Sequence, residues 1–97
     1  MGAAQSELVY VPIRPSGALS VAEAVELYDF EIEALRLVHL EGLTTDEAAA
    51  RMGLSKTTFW RVLESCRAKL AEALSSGKPI KLVSTNWRPG ASIERNV

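Results

Sequence analysis

The 97-residue chain has few of the residues that build disulfides and zinc sites, and it lacks the long apolar run of a membrane span. Its 1 cysteine cannot form an internal disulfide, and 1 cysteine with 1 histidine cannot supply the nitrogen and sulfur ligands of a structural zinc site. No apolar run approaches the roughly 20 residues that a membrane-spanning helix needs, and the N-terminus lacks the basic start and apolar core of a secretory signal. These absences predict a cytoplasmic protein without a membrane segment, a metal or another cofactor.

Catalytic patterns are equally sparse. His39 has no nucleophile at a suitable spacing, so the sequence does not indicate a serine or cysteine nucleophile with a histidine base. Gly42 and Gly53 are placed to end helices and do not form a glycine-rich phosphate loop. The acidic residues between positions 31 and 41 are typical of the exposed face of a helix, not of a paired acid and base. We therefore predict a binding protein and not an enzyme.

Short apolar segments near both ends of the chain predict two β-strands. Residues 8–11 combine aliphatic, aromatic and β-branched side chains before Pro12, which favours an edge strand. Residues 79–83 alternate in part and predict a second strand. Because two isolated strands are unstable alone, we expect them to pair with each other, within one chain or between two chains.

Two helices are predicted before the centre of the chain. Ser20 and Glu23 have the spacing of a capping box and predict a short helix over residues 21–27. Asp29 can cap the next helix, over residues 30–41, whose apolar residues recur at the helical period. This second, acidic helix is expected to pack behind the central stretch of the sequence.

Residues 44–70 have the sequence pattern of a helix-turn-helix. A first helix is capped at Thr44 or Thr45 and carries acidic residues in its first turn, where the helix dipole favours them. Gly53 is expected to take a positive φ in the turn, and Ser55 caps a longer helix. The inward-facing stripe of that helix is predicted to comprise Phe59, Val62, Leu63, Cys66, Leu70 and Leu74.

Charge is divided unevenly along the chain. Residues 1–50 carry 2 basic and 9 acidic side chains, whereas residues 51–97 carry 9 basic and 3 acidic ones, within a net charge of −1. The sign changes inside the helix-turn-helix, so its second helix lies in the basic half. A local basic face matters more for DNA binding than the net charge, although a plain solvated surface has the same asymmetry.

The second helix of such a motif usually enters the DNA major groove with its N-terminal residues at the base edges. We therefore predict double-stranded DNA as the ligand. Lys56 and Arg61 are either phosphate contacts or ordinary surface residues, and Arg61 is also suited to guanine. Thr58 alternatively satisfies backbone groups near the helix start, and Trp60 packs either on the sugar-phosphate edge or in the core. The predicted DNA-binding residues are Thr44, Thr45, Ser55, Lys56, Thr57, Thr58, Trp60 and Arg61.

Residues 33–74 resemble the core of the UPF0251, or DUF134, family of small prokaryotic proteins. The matching residues are Glu33-Ala34, Arg36-Leu37, Glu41-Gly42-Leu43, Glu47-Ala48-Ala49, Met52-Gly53, Ser55 and Ala73-Leu74. Proteins of this family are predicted to bind DNA through a helix-turn-helix like region 4 of sigma-70 factors. The resemblance implies a mainly α fold, a sigma-70 region 4-like helix-turn-helix bundle of about four helices, to which we add the two short terminal β-strands.

On the pattern of that class, promoter contacts fall at the start of the second helix, which here corresponds to Lys56, Thr57, Thr58 and Arg61. The chain departs from the family in its first residues, MGAAQSE, where many members have a segment rich in Arg, Lys and Pro. The missing basic arm is expected to weaken non-specific DNA affinity, but it does not touch the motif.

The chain is predicted to form one helix-turn-helix domain over residues 1–85, with its core at residues 30–75, followed by a flexible tail over residues 86–97. Trp87 in this tail either packs back onto the domain or is held for a partner. A homodimer through the terminal strands is expected, because one helix reads few base pairs and palindromic sites suit two-fold proteins. The alternative is a protein-interaction module, for example an RNA polymerase-associated or regulatory partner, that keeps the fold without binding DNA. The acidic first half favours this alternative.

Overall fold

The computed structural model describes residues 8–13 and 23–91 of the chain. Within these residues three helices form the core, and a three-stranded sheet packs beside them. In chain order the elements are β1 (Leu8–Tyr10), β2 (Val25–Tyr28), α1 (Asp29–His39), α2 (Thr45–Met52), α3 (Lys56–Ser76) and β3 (Ile80–Val83). The helix-turn-helix predicted over residues 44–70 corresponds to α2 and the first part of α3.

The sheet brings distant parts of the chain together around β3. The strand order is β1-β3-β2, and β3 runs antiparallel to β1 and parallel to β2. Leu82 lies opposite Leu8 on one side and Leu27 on the other, so apolar side chains align on one face of the sheet. The pairing predicted between residues 8–11 and 79–83 is confirmed, and it forms within one chain.

The strand β2 corrects the prediction of a helix over residues 21–27. Residues Val25–Tyr28 form a strand, so the described residues contain three helices where about four were expected, and three strands where two were expected. Apolar and polar residues alternate in this segment, which is the period of a strand. Pairing with β3 supplies backbone hydrogen bonds along its length, and this outweighs the local capping signal. Ser20, which carries that signal, lies outside the described residues.

The ends of α2 and α3 agree with the sequence prediction. Thr44 Oγ1 accepts a hydrogen bond from the Glu47 N–H at 3.1 Å, and Glu47 Oε1 accepts one from the Thr44 N–H at 2.9 Å. This capping box begins α2, and Ser55 Oγ begins α3 by accepting from the Thr58 N–H at 3.1 Å. Gly53 has a φ of +73°, the left-handed conformation predicted for the turn.

The core lies where the three helices meet. Ala48 and Ala49 are small, which allows α2 to approach its neighbours closely. The predicted inward stripe of α3 is buried from Phe59 to Cys66, but Leu74 is 76% exposed and Ala73 is buried instead. The reason is that α3 has 21 residues, far more than α1 or α2, so its last turns extend past both helices towards the sheet. The buried cluster comprises Phe30, Ala34, Leu37, Ala48, Ala49, Met52, Phe59, Val62 and Leu63.

A buried carboxylate, here called the Glu31 clamp, ties the start of α1 to the middle of α3. Glu31 is 3% exposed, so the prediction that the acidic residues between positions 31 and 41 lie on the exposed face of a helix is wrong for this residue. Its Oε1 accepts hydrogen bonds from the Tyr28 N–H at 3.0 Å and from Lys69 Nζ at 2.9 Å, and its Oε2 accepts one from the Ser65 hydroxyl at 2.7 Å. These donors compensate the buried charge, which would otherwise be costly.

Residues 84–91 are here called the C-terminal strap, and the first contacts of this segment are with the start of α1. The carboxylate of Asp29 accepts hydrogen bonds from the Thr85 N–H at 3.0 Å and from the Thr85 hydroxyl at 2.7 Å. Trp87 packs against the helical core, so of its two predicted alternatives it packs back onto the domain. The side chain of Asp29 also accepts from the Phe30 N–H at 2.8 Å and thereby supports the first turn of α1.

The C-terminal strap ends on the turn between α2 and α3. The Gly90 N–H donates to the Met52 carbonyl at 2.9 Å. Residues 86–91, the first part of the segment predicted to be a tail, therefore lie against the domain. Residues 92–97 lie outside the described range.

Candidate nucleic-acid interface

The turn between α2 and α3 leaves the start of α3 at an exposed corner. Gly53 reverses the chain direction, and the Leu54 N–H donates to the Ala49 carbonyl at 2.9 Å. Leu54 packs against the core, whereas Ser55 is exposed. The first turns of α3 therefore project from the core in the manner that a helix-turn-helix needs for groove entry.

The first half of α3 has a polar outer stripe opposite its buried stripe. Phe59, Val62 and Leu63 are at most 4% exposed. Steps of three and four residues place the outward positions on one side of the helix, where they are neighbours. The structure thus brings four of the predicted DNA-binding residues together with one acidic residue. The exposed outward residues are Lys56, Thr57, Trp60, Arg61 and Glu64.

The other predicted site residues lie at the two helix starts, and the hydroxyl groups of Thr44, Ser55 and Thr58 already form hydrogen bonds there. Thr44 and Ser55 are the N-caps of α2 and α3. Thr58 is half-buried, and its Oγ1 accepts a hydrogen bond from Ser55 Oγ at 3.1 Å. This contact joins two side chains, whereas the local role considered for Thr58 was to satisfy backbone groups. Thr45 is half-buried in the first turn of α2. Contacts of these four residues with DNA remain a prediction.

Lys56 has an acidic partner that the sequence analysis did not identify. Its Nζ lies 3.3 Å from Asp46 Oδ2, and the two side chains are 71% and 64% exposed. An exposed ion pair contributes only about 0–1 kcal/mol, so a phosphate can replace Asp46 at small cost. No local spacing signals this pair, because it joins the first turn of α2 to the first turn of α3.

Trp60 lies at the surface and not in the core, with 44% of its area exposed. The aromatic contact found in the core is instead between Tyr28 and Phe30, whose stacked rings have 5.6 Å between centroids. The guanidinium carbon of Arg67 lies 6.0 Å from the Trp60 ring centroid, within cation–π range. Trp60 is therefore available to a ligand on its outer face.

Arg67 also links α3 to the end of α1. It donates to Glu64 at 2.9 Å, and its second terminal nitrogen lies 3.1 Å from His39 Nε2, which accepts in the neutral ring. The spacing of Glu64 and Arg67 is the familiar three-residue helical pair, so their contact was accessible from the sequence. The contact with His39 crosses between helices and was not.

Three arginines near this corner form no ion pair within residues 8–13 and 23–91. Arg51, Arg61 and Arg88 are all exposed. Arg36, by contrast, is held by Glu33 and Glu41, each at 2.9 Å. Arg61 was predicted as a site residue, whereas Arg88 lies in the C-terminal strap and was not.

The side chains with clearly shifted pKa values lie away from the outer stripe of α3. Burial, followed by the nearby charge of Glu31, raises the pKa of the Cys66 thiol to about 11, so this cysteine is protonated and inert at neutral pH. The hydrogen bond from Arg36 holds the pKa of Glu33 below its ordinary value. Neither group adds chemistry to the candidate interface.

The part of the chain that the structure describes contains neither a candidate metal site nor a membrane-spanning helix. No group of three or more His, Cys, Asp or Glu side chains is arranged to hold a metal ion there. Among the described helices, none combines the length and apolar character needed to cross a membrane.

Comparison with known proteins gives a family. The profile described as "Protein of unknown function DUF134" matches residues 5–88. A UPF0251 protein of Methanosarcina acetivorans is 45% identical over 84 residues, which cover 86% of this chain and 75% of the relative. A UPF0251 protein of Thermoanaerobacter pseudethanolicus is 40% identical over 85 residues, 87% of this chain and 72% of the relative. No solved structure matches. The chain belongs to the DUF134 family, which confirms the resemblance seen in residues 33–74.

Proposed function

We propose that this member of the DUF134 family is a DNA-binding protein, a transcriptional regulator that reads duplex DNA in the major groove with the helix that starts after Ser55. In this proposal the helices act as in sigma-70 region 4-like proteins. The protein works in the cytoplasm and has no catalytic activity of its own. Its ligand is double-stranded DNA, and it needs no cofactor.

The observation that carries the proposal is the outer stripe of α3 on a fixed corner. Thr57, Trp60 and Arg61 are exposed on one side of a capped helix, while the opposite side is buried in the core. A rigid helix fixes the backbone positions of such side chains before binding, so little backbone conformational entropy is lost when they meet a groove. This support is stronger than the net charge of −1, which does not favour nucleic acid.

The side chains of the stripe divide into two roles. Arg61 is suited to bidentate contact with guanine, and Thr57 to a phosphate or a thymine methyl group. Lys56 neutralises a phosphate after leaving Asp46, and Trp60 packs on the sugar-phosphate edge. Arg61 therefore contributes most to sequence preference, and Lys56 to affinity for any duplex.

Selection of bound sequences from a random duplex pool tests this function directly. We expect an enriched motif, and binding to it that weakens steeply with salt because phosphate contacts release counterions. The double variant Lys56→Ala/Arg61→Ala should lose this binding. Lys78→Ala/Lys81→Ala is the matched control, since it removes equal charge beyond the other end of α3. Absence of duplex binding at low salt, with a folded wild-type protein, would refute the proposal.

A protein-interaction module is the second candidate function. Two observations favour it: Asp46 partly neutralises Lys56, and Trp60 is a large exposed aromatic residue of the kind enriched at protein interfaces. RNA polymerase is one such partner in this alternative. Recovery of the same purified polymerase complex by wild type and by Lys56→Ala/Arg61→Ala, without duplex binding by either, would favour the module over the DNA-binding function.

In the same proposal the protein acts as a homodimer joined through β1. This strand lies at the edge of the sheet, and Leu8 and Tyr10 are 60% and 59% exposed. Residues 8–13 carry no charge, so two copies of β1 can pair antiparallel about a two-fold axis without repulsion. The resulting symmetry would present two α3 helices to a palindromic site.

Sedimentation of wild type and of Leu8→Lys/Tyr10→Lys tests the dimer. We expect a concentration-dependent dimer for wild type and a monomer for the variant, because like charges would then face each other across the axis. The monomeric variant should still bind a single half-site, more weakly than the dimer binds a full site. A wild-type monomer at every concentration, with and without DNA, would remove the dimer and leave the DNA-binding function to its own test.

A further inference from the structure

The C-terminal strap is attached to the domain at two points, and at each point a backbone N–H of the strap donates a hydrogen bond to the helical part of the domain. Asp29 holds the first point through the Thr85 backbone and hydroxyl, with the Trp87 N–H at 3.4 Å as a weaker third contact. The packing of Trp87 against the helical core adds an apolar anchor. The strap is therefore an integral part of the folded domain.

The second point is a close backbone contact between two glycines. A Cβ added to Gly53 would lie 2.7 Å from both the nitrogen and the Cα of Gly90. The Gly90 N–H also donates to the Met52 carbonyl at 2.9 Å. Only glycine allows the strap to approach the turn so closely at a positive φ, because any side chain on Gly53 would displace it.

A tight turn of the strap rests on this contact. The Ala91 N–H donates to the Arg88 carbonyl at 2.9 Å, which closes a four-residue turn over residues 88–91. Consecutive Cα atoms are about 3.8 Å apart, so Arg88 lies within about 8 Å of Gly90. Arg88 is consequently held beside the corner from which α3 starts, two residues along the strap from Gly90.

The charge of Arg88 is available at that position. The residue is exposed and has no ion-pair partner within the described residues, whereas Lys56 is paired with Asp46 and Arg67 with Glu64. A guanidinium group matches phosphate oxygens in geometry and charge. When a helix lies in a major groove, the phosphates at the groove edge flank its N-terminal end.

We propose that Arg88 is a second anchor for duplex DNA, one that binds a backbone phosphate beside the groove entered by α3. The inference rests on the proposed DNA-binding function and adds a contact from outside the helix-turn-helix. The C-terminal strap supplies this contact at a fixed distance from α3, because both of its anchors are internal to the domain. Arg88 adds affinity for any duplex and no sequence preference, since phosphates are the same at every base pair.

Salt titration of duplex binding by wild type, Arg88→Ala, Arg88→Lys and Lys78→Ala tests the second anchor. Loss of one phosphate contact reduces the slope of log K against log salt concentration by about 0.9. We expect this reduction for Arg88→Ala, equal weakening on cognate and unrelated duplexes, and an unchanged melting temperature. Arg88→Lys should retain most of the slope, because the positive charge remains.

The matched control separates a local contact from a change in net charge. Lys78 follows the C-terminal end of α3, a helix about 30 Å long at 1.5 Å per residue, and its removal changes the net charge by the same amount. We expect Lys78→Ala to keep the wild-type slope. A wild-type slope for Arg88→Ala, or an equal loss for Lys78→Ala, would overturn the second anchor while the DNA-binding function stands. Failure of wild type to bind any duplex would overturn both.

Discussion

The middle and the start of α3 carry their charges in opposite ways. In the middle of the helix, Lys69 donates to Glu31, which is 3% exposed and accepts two further hydrogen bonds. Towards the N-terminal end, Arg61 has no ion-pair partner within the described residues, and Lys56 has only the exposed Asp46. The middle of the helix is thus closed by the rest of the fold, and its start is open to solvent.

This difference separates charges that hold the fold from charges that can serve a ligand. A buried carboxylate with three donors cannot change partners without exposing an unpaired charge, so the Glu31 clamp is structural. An exposed pair such as Lys56 with Asp46 exchanges with solvent ions or phosphate at little cost. Variants on each side of this difference should have effects of different size.

The Glu31 clamp, in the closed middle of α3, should give the largest loss of stability. Glu31→Gln removes the negative charge beside Lys69 and weakens the bonds from Tyr28 and Ser65. Loss of one partner of a buried ion pair costs about 3–5 kcal/mol, and partial exposure of Lys69 favours the lower end, about 3 kcal/mol. Urea unfolding followed by circular dichroism measures this change in the free energy of unfolding.

Two further variants show whether charge is the cause. Glu64→Gln breaks the exposed pair with Arg67 and should cost at most about 1 kcal/mol. Glu31→Gln/Lys69→Met removes both buried charges and should recover part of the loss. Equal losses for Glu31→Gln and Glu64→Gln would remove the distinction between the Glu31 clamp and the exposed ion pairs of α3.

The start of α3, although open to solvent, should depend on the C-terminal strap for its rigidity. Gly53→Ala places a Cβ against the backbone of Gly90, whereas Gly42 has a similar φ of +74° with nothing within 4 Å of an added Cβ. The left-handed conformation alone costs about 1–2 kcal/mol for alanine. Gly42→Ala measures that cost, and Gly53→Ala should lose about 2 kcal/mol more through the steric conflict. Equal losses of unfolding free energy in the two variants would mean that the strap contact adds nothing.

The smallest effect should come from the exposed pair at the open end. Asp46→Asn releases Lys56 and removes a negative charge near the proposed path of a phosphate, so duplex affinity should rise several-fold at low salt. Stability should change by less than about 1 kcal/mol. Glu72→Gln, which frees Lys78 at the other end of α3, makes the same charge change and should leave duplex affinity as it was. A rise of equal size in both variants would show a net-charge effect only.

Local signals in the sequence were sufficient for the helix-turn-helix. Thr44, Ser55 and Gly53 act within a few residues of themselves, as two caps and a left-handed turn, so their structural roles could be predicted without knowledge of the fold. The buried positions from Phe59 to Cys66 follow from helical period alone. The polar outer stripe of α3 follows from the same period.

Features that depend on distant partners were not predictable in the same way. Residues Val25–Tyr28 become a strand because β3 lies beside them, although a capping pattern upstream indicated a helix. The prediction that Leu74 is inward assumed a core along the whole of α3, but the neighbouring helices end before it. The contacts of Asp46 with Lys56 and of Gly90 with Gly53 join residues that no short spacing connects.

The position of β3 in the middle of the sheet has a consequence for how the chain folds during synthesis. Within the described sheet, β1 and β2 emerge from the ribosome first, but each pairs only with β3, which is made after all three helices. We therefore expect the helices to assemble first and the nascent strands to remain without partners until residue 83 is free. β3 then completes the sheet by pairing with β1 on one side and with β2 on the other. The C-terminal strap follows β3 in the chain, so it reaches Gly53 at the same stage of synthesis.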